Sequence, residues 1–155
     1  KQQKGKQQMI NKIIKQLKTF GYEIEEKDNY HAARRDFGPP IIITKTNHIN
    51  FSSYYRTNSN AFSNYNGFLG YLNDLNITSC VTTFACAEKG MIDFSAKYLG
   101  LYDISTFAEF IRAWEFDTGH LMDVNKETDI YLMPEKELEK AMESYCHTEN
   151  ERAEA

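Results

Sequence analysis

Apolar positions recur at steps of three and four from Ala61 through Phe62, Tyr65, Phe68, Leu69 and Leu72 to Leu75, which predicts a helix with one buried face. Ser59 or Asn60 can cap its start, because a short polar side chain accepts a bond from a free first-turn amide. Asn73 and Asn76 fall where the helix should stop, since Asn tolerates the left-handed turn that ends helices. Gly67 and Gly70 each weaken the interior by about 1 kcal/mol relative to Ala, so a closely passing backbone is expected at both. A first helix is predicted from Met9, Ile10, Ile13, Ile14, Leu17 and Phe20, stopped by Gly21. Phe107, Phe110, Ile111 and Trp114 predict another, ending near Gly119. Thr106 with Glu109 would form its capping box, with Asp103 and Ser105 as rival caps. Pro134 suits a first helical position, and Leu138, Ala141, Met142 and Tyr145 continue on one side as a C-terminal helix.

Strand signals lie between these helices. Ser79 to Ala87 and Met91 to Leu99 flank Glu88-Lys89-Gly90, a three-residue hairpin loop with Gly in the left-handed position. That register sets Phe84 opposite Phe94, Cys86 opposite Ile92 and Cys80 opposite Tyr98, all six facing one core. Ile41 to Thr46 and His48 to Tyr55 are β-branched and aromatic. A turn near Thr46-Asn47 would place Ile42 opposite Phe51 and Thr44 opposite Ile49. Tyr22 to Glu26 is a short strand and Thr128 to Met133 is extended. Asn29 to Phe37 shows no usable pattern, and Gly38-Pro39-Pro40 forces a loop.

The fold class that follows is α+β. An antiparallel sheet of about five strands carries helices on one face, in the order α-β-β-β-α-β-β-α plus a C-terminal helix. Residues 1–8 are expected to be a disordered tail, 9–122 the domain, and 123–155 an acidic extension, helical from about 134.

At 155 residues a single domain with a real core is expected. The net charge of -4 is unevenly spread. Lys1, Lys4, Lys6, Lys12, Lys15 and Lys18 precede any acid, whereas the chain beyond Leu121 is dominated by Asp and Glu; both ends are expected to be solvated. An acidic protein is a poor nucleic-acid ligand, because phosphate neutralisation supplies most non-specific affinity. No apolar run approaches the roughly 20 residues of a membrane-spanning helix, so no membrane partner is expected. Cys80, Cys86 and Cys146 cannot make a closed disulfide framework and are expected to be small buried thiols in a reducing, cytoplasmic setting. The chain begins at Lys1 rather than Met, which leaves room for a removed leader and a secreted or periplasmic destination.

Motif chemistry is sparse. There is no P-loop, dinucleotide fingerprint, His-Glu-Xaa-Xaa-His or nucleophile elbow in the sequence. Asp117 and His120, with Glu115 and Asp123 nearby, form at most a thin ligand set on what is expected to be an exposed helix end. Cys146 and His147 diverge on a helix, and His31 and His48 have no evident partner. No catalytic, cofactor or metal residues are therefore assigned. Ten Tyr and ten Phe exceed what the core requires, and Tyr54, Tyr55 and Phe116 are the candidate partner-binding residues. Tyr54 lies on the opposite strand face from Phe51 and Tyr55, and Phe116 departs from the Trp114 stripe.

The helix end Tyr71-Leu72-Asn73-Asp74-Leu75-Asn76, the hairpin after it and the Phe107/Phe110/Ile111 helix resemble the YbjN-type bacterial domain family, which is similar in fold to type III secretion chaperones. The likeness covers about Met9 to Leu121 and leaves Asn29 to Pro40 and everything after Asp123 without a counterpart. It implies structural roles for Asn73 and Asn76. It also implies a non-enzymatic, chaperone-like or regulatory module, dimeric and binding another polypeptide, with no cofactor. Two rival readings are a small hydrolase or metal-dependent enzyme with a site assembled from scattered His, Asp and Cys, and an RNA-binding module using the first helix's lysines and exposed tyrosines.

Overall fold

The computed structural model describes residues 2–36, 40–45, 48–87, 90–99, 101–123 and 128–133. Helix α1 (Gln2–Thr19) buries Ile10, Ile13 and Leu17 and ends at Gly21, which takes φ 85°. It starts at Gln2, so most of the expected tail is its first turns. Strands β1 (Glu23–Glu26), β2 (Tyr30–Arg34), β3 (Ile41–Lys45) and β4 (Ile49–Arg56) follow. After the short helix α2 (Asn60–Ser63) and helix α3 (Tyr65–Thr78) come β5 (Thr83–Ala87), β6 (Met91–Tyr98), α4 (Ile104–Asp123) and α5 (Thr128–Tyr131). The six strands form one antiparallel sheet in the order β1-β2-β3-β4-β6-β5.

The α+β class and its antiparallel sheet are as the pattern implies, with one strand more than expected. That strand is β2, in the segment that carried no pattern. Ala32 and Ala33 are weak strand formers, yet both are buried and Ala33 pairs with Ile41. The β5–β6 hairpin keeps the expected register: Phe84 faces Phe94, Cys86 faces Ile92, and Gly90 takes φ 74°. The β3–β4 register is shifted by one residue, with Ile43 opposite Phe51 and Ile42 opposite Ser52. A one-residue slip exchanges the faces of a strand, so Ile41 and Ile43 enter the core instead of Ile42 and Thr44. The turn at 46–47 lies outside the described residues, as does the helix expected from 134. Residues 128–131 are helical rather than extended; Leu132 then bridges Thr57, and the Met133 N–H bonds the Arg56 carbonyl at 3.0 Å.

Alternation along β4 and β6 sorts the sheet's two faces. Ile49, Phe51, Ser53, Tyr55, Ile92, Phe94, Ala96 and Tyr98 are buried under the helices, and Tyr54, Asp93, Ser95 and Lys97 point the other way into solvent. Phe51 packs on Phe107, Phe110 and Trp114, and Phe94 on Tyr55, Phe84 and Trp114. This aromatic layer joins sheet to α4.

The single helix expected from Asn60 is broken at Asn64 (φ -124°, ψ 60°), whose side chain accepts a bond from the Gly67 N–H as the cap of α3. Ser59 makes no side-chain cap bond; Asn58 accepts from the Asn60 N–H instead. A Cβ at Gly67 would come within 2.4 Å of Asn64 and 2.5 Å of the Tyr131 hydroxyl, whereas nothing lies within 4 Å of one at Gly70. Close packing therefore accounts for Gly67 alone, and it involves side chains rather than backbone. At α4 the cap is Asp103, which accepts the Ser105 and Thr106 amides, and the helix runs past Gly119 to Asp123.

Candidate partner-binding surface

Ala61, Phe68, Leu72 and Leu75 are buried as the stripe predicts, joined by Tyr71. Phe62, Tyr65 and Leu69 are not: they are 61%, 50% and 41% exposed. The break at Asn64 separates Phe62 from the α3 stripe, and within α3 the buried arc is Phe68, Tyr71, Leu72 and Leu75, with Tyr65 and Leu69 at its edge. On α3 the row Tyr65, Leu69, Asn73 and Ile77 advances by four and is exposed throughout, forming one of the ridges through which helices pack on one another. Phe62 sits beside the β5–β6 turn, where its ring would meet a Cβ at Gly90 within 2.5 Å. Next to α2, Asn58 and Asn60 hold the Ile130 carbonyl at 2.8 and 3.2 Å. The exposed Ile130 side chain thus lies close to the same surface.

Charge singles this surface out further. Between Arg56 and Glu88 the only charged residue is Asp74, in a chain that is 26% charged. Depletion of charge around exposed aromatic and aliphatic side chains is the compositional mark of an interface core. The charge gap is visible in the sequence, but period-3.6 spacing had placed Phe62, Tyr65 and Leu69 in the core.

The residues singled out from sequence do not converge. Tyr54 is half exposed on the open sheet face, and Phe116 is 55% exposed on α4, beside a shallow groove lined by Leu75, Thr78, Ser79, Phe84 and Asp117. Tyr55 is buried and stacks on Phe94 with ring centroids 5.9 Å apart, which removes it from any surface.

Two of the groups considered for chemistry, Asp117 and Glu115, are occupied structurally. Asp117 is buried, not part of an exposed helix end, and its carboxylate accepts the backbone N–H groups of Cys80, Val81 and Thr82 at 2.7, 2.8 and 2.9 Å. Cys80 precedes β5 instead of facing Tyr98, and Cys86 is on the edge strand; both are exposed, not buried. The Asp117 carboxylate raises the Cys80 thiol above its ordinary pKa, which disfavours the thiolate a nucleophile needs. Glu115 accepts the Tyr22 hydroxyl at 2.8 Å and the Arg35 guanidinium at 2.5 Å. Burial, reinforced by Glu115, pushes the Tyr22 phenol well above its usual range, so it stays a neutral donor. This cluster ties the end of α1 and the segment after β2 to α4. Among the described residues no three His, Cys, Asp or Glu side chains could hold a metal ion, and no helix is long and apolar enough to cross a membrane.

Asn76 acts within the fold, as the resemblance implies, though not as a helix stop. Its amide donates to the Phe84 carbonyl at 2.9 Å and accepts the Phe84 N–H at 2.8 Å, standing in for a neighbouring strand on β5. An edge strand protected in this way offers less free backbone for chance pairing.

No protein-family model matches the chain, and no curated protein does. Among solved structures it is similar to YbjN from E. coli, a candidate transcription regulator, with a TM-score of 0.61 and 15% identity over 81% of this chain and 96% of that one. It is also similar to a chain of the heterodimeric ExoU–SpcU complex from the type III secretion system of Pseudomonas aeruginosa, with a TM-score of 0.52 and 13% identity over 72% and 96%. At such identities the likeness is one of fold, and the chain has the fold of YbjN.

Proposed function

We propose that this chain is a non-enzymatic partner-binding module whose α2–α3 face receives an apolar segment of another polypeptide. The carrying observation is the charge-poor surface bearing Phe62, Tyr65, Leu69 and Ile77. An exposed ridge of large side chains at four-residue spacing suits an amphipathic helix laid along it. The heterodimeric assembly that contains one structural relative supports polypeptide binding as the use of this fold. A homodimer belongs to the same reading: two copies carrying -4 each meet with less repulsion across a charge-poor face.

Neither rival gains from the geometry. A hydrolase would need converging groups, but Asp117 is committed to backbone amides. An RNA platform would need exposed tyrosines beside the α1 lysines, whereas Tyr54 projects from the open sheet face and the ring beside Lys12 is Tyr102, which is half-buried with its hydroxyl bonded to Gln16.

Affinity capture from cell extract with three baits tests the reading: wild type, a Phe62→Asp/Leu69→Asp double variant, and Tyr54→Asp. A polypeptide held in near-equal amount by wild type and Tyr54→Asp, and reduced at least about tenfold by the double variant, is the expected result. The same polypeptide held equally by all three would refute the assignment of the face.

A further inference from the structure

A second exposed apolar cluster lies away from α2–α3, at the connection from β6 to α4. Leu99, Leu101 and Ile104 are 66%, 92% and 63% exposed. The backbone that carries them is held: the Tyr98 hydroxyl donates to the Leu101 carbonyl, and Gln16 of α1 donates to the Ile104 carbonyl at 3.0 Å. Tyr102 reaches back to bond the Gln16 side chain, and the Lys12 ammonium stands 5.8 Å from the Tyr102 ring centroid. The segment that bonds α1 through Ile104 and Tyr102 thus carries three exposed aliphatic side chains, and Leu101 stands almost wholly in water.

Charge gives this surface its partner. Residues before Glu23 carry lysines at 1, 4, 6, 12, 15 and 18 and no acid, although the whole chain is at -4. The acid in the turn, Asp103, is directed onto the Ser105 and Thr106 amides. Exposed aliphatic side chains with the Lys12 ammonium close by match a surface that is anionic outside and apolar a few ångströms below.

We propose that the β6–α4 turn and α1 form a peripheral attachment site for anionic lipid bilayers. Leu99, Leu101 and Ile104 enter the headgroup boundary, and Lys12 and Lys15 lie against lipid phosphates and carboxylates. The expectation of no membrane partner rested on the lack of a spanning segment, and surface attachment requires none.

Co-sedimentation of the full chain tests this, using vesicles of phosphatidylcholine mixed with phosphatidylserine beside vesicles of phosphatidylcholine alone. The chain is expected to sediment with the mixed vesicles and to leave them as salt is raised. Leu101→Glu should lower partitioning about tenfold, and Leu99→Glu comparably. Lys12→Glu and Lys15→Glu should each lower it about fivefold or more. Unchanged far-ultraviolet circular dichroism shows that the variants fold. Failure of wild type to sediment with the mixed vesicles overturns the proposal, as does retention by Leu101→Glu and Leu99→Glu alike. Capture by immobilised polyglutamate without vesicle binding also overturns it, in favour of an acidic polypeptide partner.

Discussion

Asp117 shows what a residue's type alone conceals. In sequence it stands near Glu115, His120 and Asp123 and suggests a weak ligand set, but its partners are three consecutive backbone amides more than thirty residues earlier. No side-chain pattern encodes such partners. The carboxylate pins the α3–β5 connection to α4, because buried N–H groups left without an acceptor are costly. Asp117→Ala is expected to lower unfolding stability by about 3 kcal/mol or more. Asp117→Asn should cost about 2 kcal/mol, since its amide NH2 must confront amide donors on one side. Urea unfolding monitored by tryptophan fluorescence at neutral pH measures both; a loss under about 0.5 kcal/mol for the alanine variant would contradict the assigned role.

Among the elements, those with strong period were legible and those held by tertiary contacts were not. The stripes of α1 and α4 and the β5–β6 register follow from apolar spacing and one left-handed glycine. Strand β2 escaped notice because Tyr30 to Arg34 lacks β-branched residues and is fixed by neighbours on both sides. The α2–α3 break depends on Asn64, whose capping bond competes with continued helix. The start of α4 offers a test by pH. Bonds from the Thr106 amide and hydroxyl and from nearby amides hold the Asp103 carboxyl below its ordinary value of 3.8. A depressed folded pKa gives a contribution that is complete above the unfolded value and disappears as pH falls through the folded one. The amides of Ser105 and Thr106 should therefore exchange faster, relative to the rest of α4, once acidified below that range. Asp103→Asn should flatten the response, and identical pH profiles for wild type and variant would contradict the cap.

At the scale of the whole molecule, helices cover one face of an antiparallel sheet, and this was readable because strand alternation and helix stripes agree. The partner face was not. Apolar spacing cannot separate a buried stripe from an exposed ridge beside it on the same helix, and only the scarcity of charge between Arg56 and Glu88, where Asp74 stands alone, marks the difference. A photo-crosslinking amino acid placed at position 65, with positions 54 and 97 on the open sheet face as controls, tests that claim most directly. A discrete polypeptide adduct from position 65, absent at 54 and 97, is the predicted result. Adducts from 54 or 97 with none from 65 would contradict it.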